Sequence, residues 1–428
     1  MYGKFERGMV SGGLCGGLCL SLLFSVLPAV AASKAKPGFE EALTAARSTL
    51  VLADGKLSGD GAGVLSEALA GSRYVLIGED HFSREIPHLV SAICDVMHPD
   101  AYAVEAGPQA AQFVTGLLKS PDRVLRMKAR MLKYAHNMAF LDANEENDTA
   151  AHCALASRNP DFPLWGLDQE FIGAAGPLLD AMAAAGPGPR AAAAIAAMQV
   201  REHAADEKAR ASGDPGDAFI IAASDAELQL LANELKIDGN AQTTALFDEL
   251  VASNSIYRLN FEGSPRSNSK RAELFKQHFL AEYAAIRKNI DSPRVLFKFG
   301  DNHSGKGFSP LQVRDIGNFV AEFADGERTQ SLHLLVLAAR GKHALFGGYA
   351  KPVKVEPFAI TDDPGYQWLT PAIERMVAQP DKGDALSLFD LRKLRFRGID
   401  APSEWRRIIH AYDLLVLLPE ITPASMIQ

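Results

Sequence analysis

Six short apolar runs limit what this chain can fold into. They are Arg73–Gly78 (R-Y-V-L-I-G), Ala101–Glu105 (A-Y-A-V-E), Phe162–Asp168 (F-P-L-W-G-L-D), Arg294–Gly300 (R-V-L-F-K-F-G), Ser331–Ala339 (S-L-H-L-L-V-L-A-A) and Tyr412–Leu418 (Y-D-L-L-V-L-L). Each has strand length and is apolar almost throughout, without the polar alternation of a half-exposed strand. Long helical stretches separate them. Strands that are apolar on both faces belong in a sheet covered on both sides, and helical crossovers make neighbouring strands parallel. The expected fold class is α/β: a largely parallel central sheet flanked by helices.

Between the third and fourth runs lies a long, Ala-rich, mostly helical segment. It predicts a helical insertion or subdomain, residues 173–290, walling or covering a site. Ser224 followed by Glu227 predicts a capping box inside it. Residues from Phe39 to Leu69 read as a helix, a loop and a second helix.

The N-terminus carries Lys4 and Arg7, an uncharged apolar stretch, and Ala29-Val30-Ala31 before a polar segment. This pattern predicts a secretory signal peptide, residues 1–31, cut after Ala31 to leave 32–428. The expected location is the periplasm or outside the cell, with no membrane part beyond the signal. Cys94 and Cys153 then remain, either bridged or as separate core thiols. The net charge of −8 argues against a nucleic-acid partner and says little else; the expected partner is a small-molecule substrate.

Four of the runs end in similar corners. The first ends in Gly78-Glu79-Asp80-His81, the second in Glu105-Ala106-Gly107. The third ends in Asp168-Gln169-Glu170, the fourth in Gly300-Asp301-Asn302-His303. Ligands of open α/β sheets bind beyond the carboxyl ends of the strands, so four corners at one edge would share a cleft. Any one corner also fits a helix cap or a tight turn. Gly300 to Gly307 reads G-x-x-x-x-G-K-G and approaches a phosphate-binding loop, but Gly307 replaces the Ser/Thr that would hold magnesium.

Two histidines among carboxylates support two chemistries. In one, His81 or His303 takes a proton from water while Glu79 and Glu105 orient it. In the other, His81, His303 and Glu105 hold a divalent metal that activates the water. Asp168, Glu170 and Asp301 are expected to support the site or touch substrate. Arg84 is a candidate for stabilising a developing negative charge. His88 is expected to line the cleft, and Lys306 to meet an anionic substrate.

The segments Y-V-L-I-G-E-D-H-F-S-R-E, A-V-E-A-G-P-Q-A-A-Q-F-V and F-K-F-G-D-N-H resemble the superfamily that joins erythromycin esterases, ChaN-type haem-uptake proteins and Tiki/TraB proteins. The esterase branch implies ester hydrolysis by water activated at Glu79, His81, Glu105 and His303. The ChaN branch implies haem or iron binding, and the Tiki branch a metal-dependent peptidase. Two features depart from the esterase pattern. Those enzymes have one more residue between Glu and His in the first motif. Their fourth corner resembles His-Asn, where this chain has Asp301-Asn302 before His303.

Overall fold

The computed structural model describes residues 38–377, 385–395 and 399–427. The predicted signal peptide lies outside the described residues. Eleven strands occur among them: β1 Arg47–Ala53, β2 Lys56–Ser58, β3 Tyr74–Glu79, β4 Ala101–Val104, β5 Leu164–Gly166, β6 Val295–Gly300, β7 Ser331–Ala338, β8 Arg340–Leu345, β9 Lys354–Ala359, β10 Ala385–Asp390 and β11 Leu414–Leu418. Nine form one sheet in the order β2-β1-β10-β11-β7-β3-β6-β4-β5, and β8 and β9 form a separate antiparallel ribbon.

The six apolar runs are the six parallel strands, β11-β7-β3-β6-β4-β5. Their alternate residues feed different cores. Val75 and Ile77 of β3 pack with Leu334 and Val336 on one face. Tyr74 and Leu76 pack with Phe297 and Phe299 on the other. Each such side chain, fully buried, contributes about 1.5–3 kcal/mol.

The antiparallel end of the sheet differs from the sequence expectation. The stretch from Phe39 to Leu69 holds two strands as well as helices. Ser48-Thr49-Leu50-Val51 is β-branched and apolar enough to pair with β10. Asp54 and Gly55 both have positive φ, 49° and 72°, and close the β1–β2 hairpin. Asp-Gly is a strong hairpin signal for this reason.

Between β5 and β6 the chain is almost entirely helical, from Ala175–Ala184 to Arg266–Ile286. Leu178, Ile195, Leu231 and Leu250 build a core of their own there. The Ser224–Glu227 capping box is present. No helix among the described residues is long and apolar enough to cross a membrane.

Cys94 and Cys153 form a disulfide between the helices Glu85–Met97 and Asn144–Ala156, with 5.2 Å between their Cα atoms. The two cysteines lie 59 residues apart. Closing a loop of that length removes unfolded-state entropy worth about 4 kcal/mol. Reduction is therefore expected to lower the urea midpoint clearly. An unchanged midpoint in the reduced protein would contradict this.

Candidate functional site

The strand register brings the corners together. Glu79 of β3 pairs with Gly300 of β6, and Val104 of β4 with Lys298 of β6. The residues just past these strands therefore emerge side by side. Gly300 fits because a side chain would have no room: a Cβ would lie 3.0 Å from His81 Nε2 and 3.3 Å from Glu105 Oε2.

His81 sits between two carboxylates. Its Nδ1 is 2.9 Å from Glu79 Oε1 and its Nε2 is 3.2 Å from Glu105 Oε2. Phe140 stacks on its ring, 3.7 Å between centroids. Burial disfavours the charged ring, but Glu105 and Glu79 outweigh it and raise the pKa to about 10. His81 is thus an imidazolium that donates from both nitrogens.

That shift has a pH signature. The unfolded imidazole loses its proton near pH 6.5, while the folded one keeps it to about 10. The stability from His81 is therefore fully present below pH 6.5, declines above it, and is gone beyond about pH 10. Denaturation curves across this window are expected to weaken with rising pH, and to weaken less in His81→Gln. Equal slopes in both proteins would contradict the assignment.

Buried charges hold the two carboxylates ionised. Burial would raise the Glu79 pKa, but Lys298 and His81 pull it below its ordinary value. Lys298 lies on β6 with a side chain only 3% exposed and bonds Glu79 as well as Glu146 Oε1, the latter at 2.5 Å. Burial also opposes ionisation of Glu105, but the histidines and Arg271 around it hold its pKa well below the usual range. Glu105 Oε2 accepts the Gly300 N–H at 2.7 Å, and Oε1 accepts Arg271 Nη2 at 2.7 Å. Arg271 also grips Asp168 through Nε, at 2.8 Å, and through Nη2.

His303 has a different setting. Its Nδ1 is 2.8 Å from Asp315 Oδ2, and Arg271 Nη1 donates to its Nε2 at 3.2 Å. A guanidinium has only donors, so in the tautomer that accepts from Arg271 the ring proton sits on Nδ1; Nε2 also lies 3.5 Å from Glu105 Oε1. Asp315 also caps the helix Ile316–Gly326, accepting the Ile316 N–H at 2.7 Å. That second bond fixes the carboxylate that orients His303.

Glu79, His81, Glu105, Asp168 and His303 thus form one hydrogen-bonded cluster. Glu170 accepts the Gln109 N–H at 2.6 Å, and burial raises its pKa to about 8. Asp301 points elsewhere: it accepts the Tyr366 hydroxyl at 2.9 Å and lines a cavity of about 480 Å3 with Asp80, Asp362 and Asp363.

Three candidates stand apart. Arg84 pairs with Glu145 at 3.1 Å, its side chain half exposed. His88 lines a different cavity, about 660 Å3, with Asp95 and His152. Lys306 bonds both oxygens of Asp413 at 2.8 Å, which occupies the ammonium expected to meet substrate. The phosphate-loop likeness, already weakened by Gly307, ends there, since its lysine serves this internal pair.

The residues proposed for a metal come together but do not fit one. Both nitrogens of His81 donate to carboxylates. The His303 lone pair faces a guanidinium, and Glu105 is engaged by Gly300 and Arg271. A divalent cation there would meet two fixed cations. Among the described residues no group of three His, Cys, Asp or Glu is arranged to hold a metal.

Sequence reasoning missed Lys298, Glu146, Arg271, Asp315 and Phe140. Only Lys298 carried a visible signal: a lysine inside a buried strand requires a buried counter-charge.

The fold and cluster define an α/β protein with an acid–histidine centre at the carboxyl edge of its sheet. No family model matches the sequence, and no curated protein matches it. Two solved structures share its architecture. A variant of the erythromycin esterase EreC in its open conformation aligns with a TM-score of 0.56 and 14% identity, over 89% of this chain and 99% of that one. A succinoglycan biosynthesis protein aligns with a TM-score of 0.53 and 13% identity, over 91% and 98%. The chain has the erythromycin-esterase-like fold.

Proposed function

We propose that the protein is an exported hydrolase of carboxylic esters that activates water directly at the acid–histidine cluster. The observation that carries this is the geometry: Asp315 orients His303 at Nδ1, and its Nε2 meets Arg271 next to Glu105, the carboxylate that His81 also contacts; His303 is taken as neutral at rest. The esterase activity named for EreC supports the choice of reaction.

In this reading a water replaces Arg271 Nη1 at His303 Nε2, while Nε and Nη2 of the guanidinium stay on Asp168. His303 takes the water's proton as the oxygen attacks the ester carbonyl. The carbonyl oxygen gains negative charge, which the His81 imidazolium and Arg271 stabilise. His303 then returns the proton to the departing alkoxide. His81, read from sequence as a base, serves here as a fixed cation, and Arg271 takes the role first given to Arg84.

The test is a panel of p-nitrophenyl esters and lactones, run with His303→Gln as the blank. Turnover above the blank is expected; none on any ester overturns the reading. Export rests on the N-terminal pattern and is supported by the disulfide, since such bonds persist in oxidising compartments. Protein recovered from outside the cytoplasm is expected to begin at Ala32, and one beginning at Met1 would remove that part.

A further inference from the structure

Beside the cluster lies a cavity of about 250 Å3. Phe140 is the wall they share, with one face on His81. Tyr257 and Asn260, from the helix Ala241–Phe261, and Asn268, from Arg266–Ile286, line it from the helical segment between β5 and β6.

The chemistry of this lining is distinctive. Its charged members are Asp168 and Arg271, which neutralise each other. The other polar groups are uncharged, and the amides offer donors and acceptors together. Gln169 lines the cavity, and its side chain hydrogen-bonds Tyr257. The aromatic faces of Phe140 and Tyr257 suit the C–H face of a ring.

These features exclude other ligand classes. A charged group gains nothing where the local charges cancel, and an acyl chain would strand the amides. The cavity beside Asp301, with its four aspartates, has the opposite character. A small, neutral ring bearing hydroxyls meets every requirement, and the space suits a single such ring.

We propose that this cavity binds one neutral monosaccharide unit, so that the ester cleaved is an acylated carbohydrate. The reaction rests on the hydrolase reading; the sugar site does not. Water's oxygen bonds the acyl carbon, the bond from that carbon to the sugar oxygen breaks, and His303 passes water's proton to that oxygen. The products are a carboxylic acid and the free sugar hydroxyl.

The experiment has a binding arm and a turnover arm. Saturation-transfer NMR with methyl gluco-, galacto- and mannopyranoside is expected to show saturable binding of at least one. Gln169→Leu is expected to weaken it about tenfold. Asn268→Leu carries the same test should the first variant fail to fold. Binding that neither substitution weakens, or no binding at all, overturns the proposal. In the second arm the wild type is given mono-O-acetylated methyl pyranosides and p-nitrophenyl acetate. Sugar binding without hydrolysis of any ester keeps the sugar site and removes the hydrolase reading. Hydrolysis of p-nitrophenyl acetate without sugar binding keeps the hydrolase and removes the sugar site.

Discussion

Replacing His303 with glutamine is expected to lower kcat for ester hydrolysis by about 10²–10⁴-fold, the usual contribution of a positioned general base. Glutamine is neutral and of similar reach, so the cavity is not emptied and the charge balance is kept. Asp315→Asn is expected to cost nearly as much by a different route. An asparagine amide facing Nδ1 would donate to it and move the ring proton to Nε2, removing the lone pair from the cleft. Asparagine still caps a helix, so the helix Ile316–Gly326 should survive. Residues acting as one unit are not additive, and the double variant should be little slower than either single one. Kinetics beside a melting curve check all three. An Asp315→Asn enzyme with wild-type kcat would refute the dyad.

Lys298→Met is expected to cost about 3–5 kcal/mol of folding stability, because it leaves buried Glu79 without its main counter-charge. The side chains of Glu79 and Lys298 are 0% and 3% exposed, so water cannot replace the lost partner. Glu146 does not inherit the problem equally. Burial, only partly offset by Lys298, raises its pKa above the ordinary value, so protonation can neutralise it. Adding Glu79→Gln to Lys298→Met should therefore recover part of the loss. Urea denaturation of the wild type, the single variant and the double variant measures this. A single variant within about 1 kcal/mol of wild type would mean the pair is not a buried ion pair.

Much of the sheet was legible, and the reason lies in particular residues. A run such as Leu334-Leu335-Val336-Leu337 has no polar face, so it must lie in a strand covered on both sides. The ends of β3, β4, β5 and β6 were then legible as one edge. The β1–β2 hairpin was missed because Phe39–Ala46 is a true helix running straight into Arg47–Ala53, with no breaker between them. Asp54-Gly55 was the available signal.

The cluster was half legible. Glu79, His81, Glu105 and His303 stand where strands end, and strand ends can be read. Arg271 stands in the charged, unexceptional helix Arg266–Ile286, and Asp315 after a loop. Only the folded chain brings them to Glu105 and His303. The charge states were not legible at all. His81 and His303 look alike in sequence, yet His81 lies between two carboxylates, while His303 has Asp315 at one nitrogen and both Arg271 and Glu105 near the other.

That difference is the centre of the account, and long-range proton–nitrogen NMR of the two imidazole rings near neutral pH tests it most directly. His81 should carry protons on both nitrogens, and His303 should carry one on Nδ1 with a bare Nε2. A His303 protonated at Nε2, or a neutral His81, would contradict the account, because the site would then lack either its base or its fixed cation.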